Sequence, residues 1–168
     1  MSEPQPDAVR TATIKHGVTR ITIYGVPHET GLASRFFQEI ARRQINVDDI
    51  IQTVNNVGKN VMMSFIVSAE QTTKARDVAS EFAGQYPDTQ VDVTEKLARL
   101  RVVGIGMRTH SGVAARLFTA VADEGINIEN ISTGEVVISI LVPSAEGERA
   151  LAAVRRAFNL SEELEERS

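Results

Sequence analysis

The groups that could do chemistry in this sequence are few and scattered. Its three histidines, His16, His28 and His110, stand far apart. None has the short helical spacing that lets two imidazoles ligate one metal ion. There is no cysteine, which removes disulfides, thiolate ligands and thiol nucleophiles. Gly58-Lys59 is followed by Asn60, whereas a phosphate loop needs a longer glycine-framed run and Ser or Thr after the lysine. That stretch reads as a hairpin turn. Gly104-Ile105-Gly106 follows a strand but lacks the third glycine of a dinucleotide loop. No G-x-S-x-G elbow occurs. Asp48 and Asp49 are adjacent in an expected strand, where successive side chains point to opposite faces, so they would not share an acid–base site. The residues therefore predict no catalytic set, no metal site and no cofactor.

What remains is binding chemistry, and the chain writes it twice. Gly25 to Gln52 reads GVPHETG, LASRFFQEIARRQ, INVDDIIQ; from Gly104 it reads GIGMRTHSG, VAARLFTAVADEG, INIENIS. Gly31 matches Gly112, Arg35 matches Arg116, Phe37 matches Phe118, and Ile45-Asn46 matches Ile126-Asn127. Each loop ends at a helix N-terminus, where unbonded N–H groups and the dipole favour an anion such as a carboxylate. Gly31 and Gly112 allow close approach to the backbone. Asn46, Gln52 and Asn127 follow, and their amide oxygens accept from an ammonium or hydroxyl. A carboxylate end, an amine end and a small cavity together describe a site for an α-amino acid. Alternatively, Asn46 and Asn127 only begin strands.

The elements that must position these groups follow from periodicity. Residues 1–7 read as a disordered arm. Ala8–Lys15 alternates and predicts a strand, broken at His16-Gly17. Residues 18–95 then read β-α-β-β-α-β, with helices over 31–43 and 72–84, and Thr30 placed to cap the first. Residues 96–160 repeat the pattern but run out one strand short. The strand in residues 8–17 is expected to complete that second sheet, because antiparallel edges need covering. Residues 161–168 form a charged tail. The expected class is α+β: two ferredoxin-like modules with antiparallel sheets and helices on one face.

Bulk properties narrow the partners. Net charge is −4 over 168 residues, which argues against nucleic acid, since phosphate binding needs a basic face. No apolar run approaches a membrane span, and MSEPQPDA has no secretory n-region or h-region. With the missing cysteines, this fits a cytoplasmic protein.

The ordered set G-[IV]-x-x-x-x-G, amphipathic helix, [GQ]-I-N-[VI]-[DE] and an I-I-Q-x-V strand resembles the paired ACT domains of aspartate kinase. The second half, from GIGMRTHSGVAARLF through GINIENISTGEVVISILV to ALAAVRRAFNL, is similar to the second ACT domain. The resemblance runs from Val9 to Leu160. The kinase half is not within these 168 residues. The chain thus resembles the separate β subunit of an α2β2 enzyme, or the regulatory region of a longer chain. The resemblance implies a homodimer through ACT domains, an aspartate kinase catalytic subunit as partner, and an end-product amino acid, threonine or lysine, as effector. It implies feedback control of the pathway to lysine, threonine and methionine, and no phosphotransfer by this chain alone.

Carried over by position, a threonine-type site would use Asn46, Asp48 and Gln52 with Asn127 and Ile128. A lysine-type site would use His28, Ala33, Asn55, Ala114, Gly134 and Glu135. There the chain departs from the family, which usually has Asp where His28 stands, Pro where Thr30 stands, Ser where Asn55 and Gly134 stand, and often Thr where Ala114 stands. Losing the loop carboxylate removes a partner for a lysine ammonium, so threonine is expected to bind more strongly than lysine. The alternatives are a stand-alone double-ACT sensor controlling another enzyme or a transcription factor, and an enzyme with its own site on the ferredoxin-like sheet.

Overall fold

A computed structural model describes residues 9–105 and 111–161. The expected arm, the tail beyond Ser161, and His110 with its loop residues 106–110 lie outside the described residues. The elements run β1 (Val9–Pro27), α1 (Leu32–Arg42), β2 (Asp48–Asn55), β3 (Asn60–Ser68), α2 (Thr72–Ala83), β4 (Gln90–Gly104), α3 (Ser111–Asp123), β5 (Asn130–Thr133), β6 (Val137–Pro143) and α4 (Gly147–Ala157). They form two compact units: residues 17–96, and residues 97–161 together with 9–16.

In the first unit the strands are ordered β2-β3-β1-β4. Antiparallel pairing sets Ile21 opposite Phe65 and Ile23 opposite Met63, so these four side chains share the face that carries the helices. Leu32, Phe36 and Ile40 of α1 and Ala75, Val78, Ala79 and Phe82 of α2 close the core over them. Phe36 stands at its centre, 5.0 Å from the rings of Phe37 and Phe82 and 5.4 Å from Phe65. Such edge-on contacts add to the burial of a fully enclosed aromatic.

The second unit repeats the plan with β1-β4-β6-β5. Leu100, Val102, Ile138, Ile140 and Val142 face Val113, Leu117 and Val121 of α3 and Leu151 and Val154 of α4. Val9 and Ala12 belong to this core, 4% and 5% exposed. The N-terminal strand therefore completes the second sheet, as the missing strand in the sequence predicted. His16 fastens its end: Nε2 donates to Glu148 Oε1 at 2.8 Å, and Nδ1 lies 2.9 Å from Ser144 Oγ.

The helix pairs are clasped alike in both units, with the charges exchanged. Arg43, just after α1, bonds to Glu81 of α2. Glu124, just after α3, accepts from Arg156 of α4 at 3.0 Å.

The structure differs from the sequence expectation in two ways. Residues 9–27 and 90–104 each form one strand, where two were expected in each. His16-Gly17 does not end β1; Gly17 takes φ +70, Lys96 takes φ +58 in β4, and the chain passes from one unit to the other at these points. Thr30 does not cap α1; Gly31 is the N-cap, in the left-handed region at φ +83, with no side-chain cap bond.

Two outcomes are expected. Removing residues 1–16 lowers the thermal midpoint of the unit built on residues 97–161 and leaves that of residues 17–96; Val9→Ala alone costs about 2 kcal/mol in denaturant unfolding, from two buried carbons. Hydrogen bonds from Arg42, then Arg43, hold the Glu39 carboxyl at about 2, below its usual 4.5. A depressed carboxyl contributes stability above its unfolded value that is lost as pH falls toward 2. Glu39→Gln should flatten the stability–pH curve between about 4.5 and about 2.

Candidate functional site

The loop from Pro27 to Gly31 is pinned at both ends. His28 N donates to Lys59 O at 3.1 Å, tying it to the β2–β3 turn. Asn60 is the register partner of both Pro27 and Asn55, so His28 and Asn55 come to the same end of the unit. Asn55 Oδ1 accepts from Val57 N at 3.0 Å within its own turn. At the helix start, Arg35 folds back on the loop. Its Nη2 pairs with Glu29 Oε1 and donates to Tyr86 Oη at 3.1 Å, and Tyr86 in turn donates to Glu29 at 3.4 Å. Tyr86 and Glu29 hold the guanidinium in its charged form, above its usual range. Arg35 Nη1 lies 3.6 Å from where a Cβ on Gly31 would sit.

The other end of α1 leads to Asn46. Ile45 is buried and its N–H bonds back to Ile40 O at 3.1 Å. Asn46 is exposed, and its N–H donates to Gln71 Oε1 at 3.0 Å while Gln71 Nε2 donates to Gln44 O at 3.3 Å. Gln71 thus fixes the turn that presents Asn46. No periodicity marked Gln71 for this role.

This separates two features that the sequence reading joined. The α1 N-terminus and Asn46 lie at opposite ends of an 11-residue helix, about 16 Å long at 1.5 Å per residue. An α-amino acid cannot bridge them within one module. The start of β2 adds a second correction. Asp48 pairs with Ile66 and Ile51 with Ser64, so the register slips by one residue, and Asp49 takes φ +46. This bulge breaks the simple alternation assumed for Asp48-Asp49. Gln52 is opposite Met63, on the helix-bearing face, whereas Asp48 is opposite Ile66, on the other face.

In the second unit Asn127 is exposed beside buried Ile126, and Ile128 is half-buried against the core. Ala33 of α1 and Ala114 of α3 also pack on their cores. Gly134 N donates to Val137 O at 2.7 Å in the β5–β6 turn, next to exposed Glu135. Arg116, the counterpart of Arg35, lies over the Phe158 ring at 5.4 Å instead of gripping a carboxylate. Among the described residues no three metal-ligating side chains cluster, and no helix is long and apolar enough to cross a membrane.

Comparison with known proteins follows the same residues. An ACT domain family matches residues 100–158. The regulatory subunit of aspartate kinase from Thermus thermophilus is 33% identical with a TM-score of 0.81, over 90% of this chain and 99% of that one. A chain in a crystal structure of aspartokinase alpha and beta subunits is 34% identical with a TM-score of 0.80, over 91% of this chain and 100% of that one. The aspartokinase of Mycolicibacterium smegmatis is 30% identical over 160 residues, covering 94% of this chain and 38% of its own length. The chain thus spans little more than a third of that curated relative.

Gln71→Ala is expected to cost about 1 kcal/mol and to speed hydrogen exchange at the Asn46 amide without affecting Val9 or Ala12. Native-state exchange measured by NMR reads both.

Proposed function

The chain belongs to the family of aspartate kinase regulatory subunits and regulatory regions, and from that membership we propose that it is a feedback sensor whose effector is threonine. The reading rests on one observation above all. Asn46 and Asn127 stand exposed at equivalent positions, each directly after a buried isoleucine that anchors the backbone. A fixed backbone with a projecting amide suits a small polar ligand, because the backbone needs no further ordering on binding.

In this reading Asn46, Gln52 and Asn127 supply amide groups to the effector's ammonium, carboxylate and hydroxyl, and Ile128 meets the threonine methyl. The two sets of groups meet across a homodimer formed through ACT modules. Asp48, on the opposite face of the bulged edge, makes no direct contact. Lysine binds more weakly. His28 replaces a carboxylate in the first loop, and Asn55 and Gly134 already use polar groups in their own turns.

The kinase chemistry, transfer of a phosphoryl group from ATP to aspartate, belongs to a catalytic polypeptide that this chain controls. Control requires threonine to bind one state of the assembly better than the other; the shift cannot exceed that difference in affinity.

Calorimetric titration of the purified chain tests this. Saturable heat is expected with threonine and little with lysine. Gln52→Ala and Asn127→Ala should each weaken threonine binding by about 10- to 100-fold, the effect of losing a hydrogen bond to a charged group. Tight lysine binding with unchanged threonine affinity in both variants would refute the assignment.

A further inference from the structure

The first loop contains a carboxylate after all. Glu29 stands one residue beyond His28, at the end of the unit shared with Asn55. It is not vacant: Arg35 Nη2 pairs with Glu29 Oε1, and Tyr86 Oη bonds to both groups. The guanidinium also lies over Gly31, with Nη1 3.6 Å from the point where a side chain would begin. The space that a glycine leaves open against the loop backbone is therefore filled by the chain's own cation.

This placement is not imposed by the fold. A positive group at a helix N-terminus opposes the helix dipole, and α1 has no acidic residue in its first turn and no side-chain cap. The equivalent Arg116 in the repeat lies over the Phe158 ring, and its preceding loop, GIGMRTHSG, has no carboxylate in sequence. Arg35 is half exposed, with 50% of its side chain accessible, and Glu29 is similar at 47%. Both atoms of the pair are thus within reach of a dissolved ligand.

We infer that Arg35 is a built-in gate of the first loop: it holds the Glu29 carboxylate in the place where the ammonium of a cationic amino acid would otherwise bind. This deepens the effector assignment above and rests on it. To the loss of a carboxylate at position 28 the gate adds occupation of the one that remains in the loop, Glu29. Neutral amino acids do not compete for Glu29 through their side chains. A cationic one must first displace a guanidinium held by both the Glu29 carboxylate and the Tyr86 hydroxyl.

The test uses the full chain and lysine as the probe, in a calorimeter, with threonine titrated in parallel. The wild type should give little lysine heat. Arg35→Met keeps the aliphatic stem and should raise lysine affinity by about tenfold; adding Glu29→Gln to that variant should abolish the gain. Tyr86→Phe, which removes one of the two partners of Arg35 without touching either charge, should give a smaller gain in the same direction. Unchanged lysine affinity in both Arg35→Met and Tyr86→Phe would overturn the gate, as would a gain that survives Glu29→Gln. The threonine arm separates the two readings: absent threonine heat with a lysine gain in Arg35→Met would refute threonine as effector and leave the gate standing.

Discussion

The open edge of the second sheet governs how this chain is put together. The stretch of β4 from Leu97 to Val103 bonds to β6 along one side, and among the described residues that follow none supplies a strand for the other. Left bare, that row of amides and carbonyls would be a template for pairing with another chain. The start of the chain meets that need: residues 9–16 put Val9 and Ala12 under the same helices as Leu100 and Val154. The second repeat is therefore assembled from two pieces separated by the whole of the first. Such non-local pairing is slow to form, since loop closure precedes any reward. His16, bonded to Ser144 and Glu148, fixes the far end of the returning strand where β1 passes into the first unit.

The candidate sites inherit their geometry from α1. One end of that helix carries the loop with Glu29, Arg35 and Tyr86; the other carries Asn46, held by Gln71. The helix is too long for one small ligand to touch both ends, so the duplicated unit contains two distinct kinds of surface. The repeats then diverge where they matter. Their buried positions are near-copies, but equivalent arginines make a carboxylate grip in one repeat and an aromatic stack in the other.

Much of this was legible in the sequence because burial imposes periodicity. Leu32, Phe36 and Ile40 could only be one face of a helix, and the shortage of strands after Leu100 pointed back to Ala8–Lys15. The continuity of β1 and β4 was hidden. Gly17 and Lys96 take positive φ inside ladders, and a local pattern cannot distinguish that from a chain break. The bulge at Asp48–Ile51 was equally silent, although one extra residue moves Asp48 and Gln52 to opposite faces. Gln71 and Tyr86 act through partners distant in sequence, with no spacing to announce them. The loop carboxylate was sought at position 28 and found at 29, where its availability depends on a contact that only the fold creates.

The helix clasps carry a further meaning. Every helix here has a near-copy elsewhere in the chain, and another in each neighbouring molecule. If α1 took α4 as its partner, Arg43 would face Arg156; if α3 took α2, Glu124 would face Glu81. Each exposed pair is worth no more than about 1 kcal/mol, yet correct and crossed arrangements differ in sign at both positions. The reversed polarity acts as an address written on each repeat. It biases refolding chains, and any chains exchanging parts with one another, toward the helix that belongs.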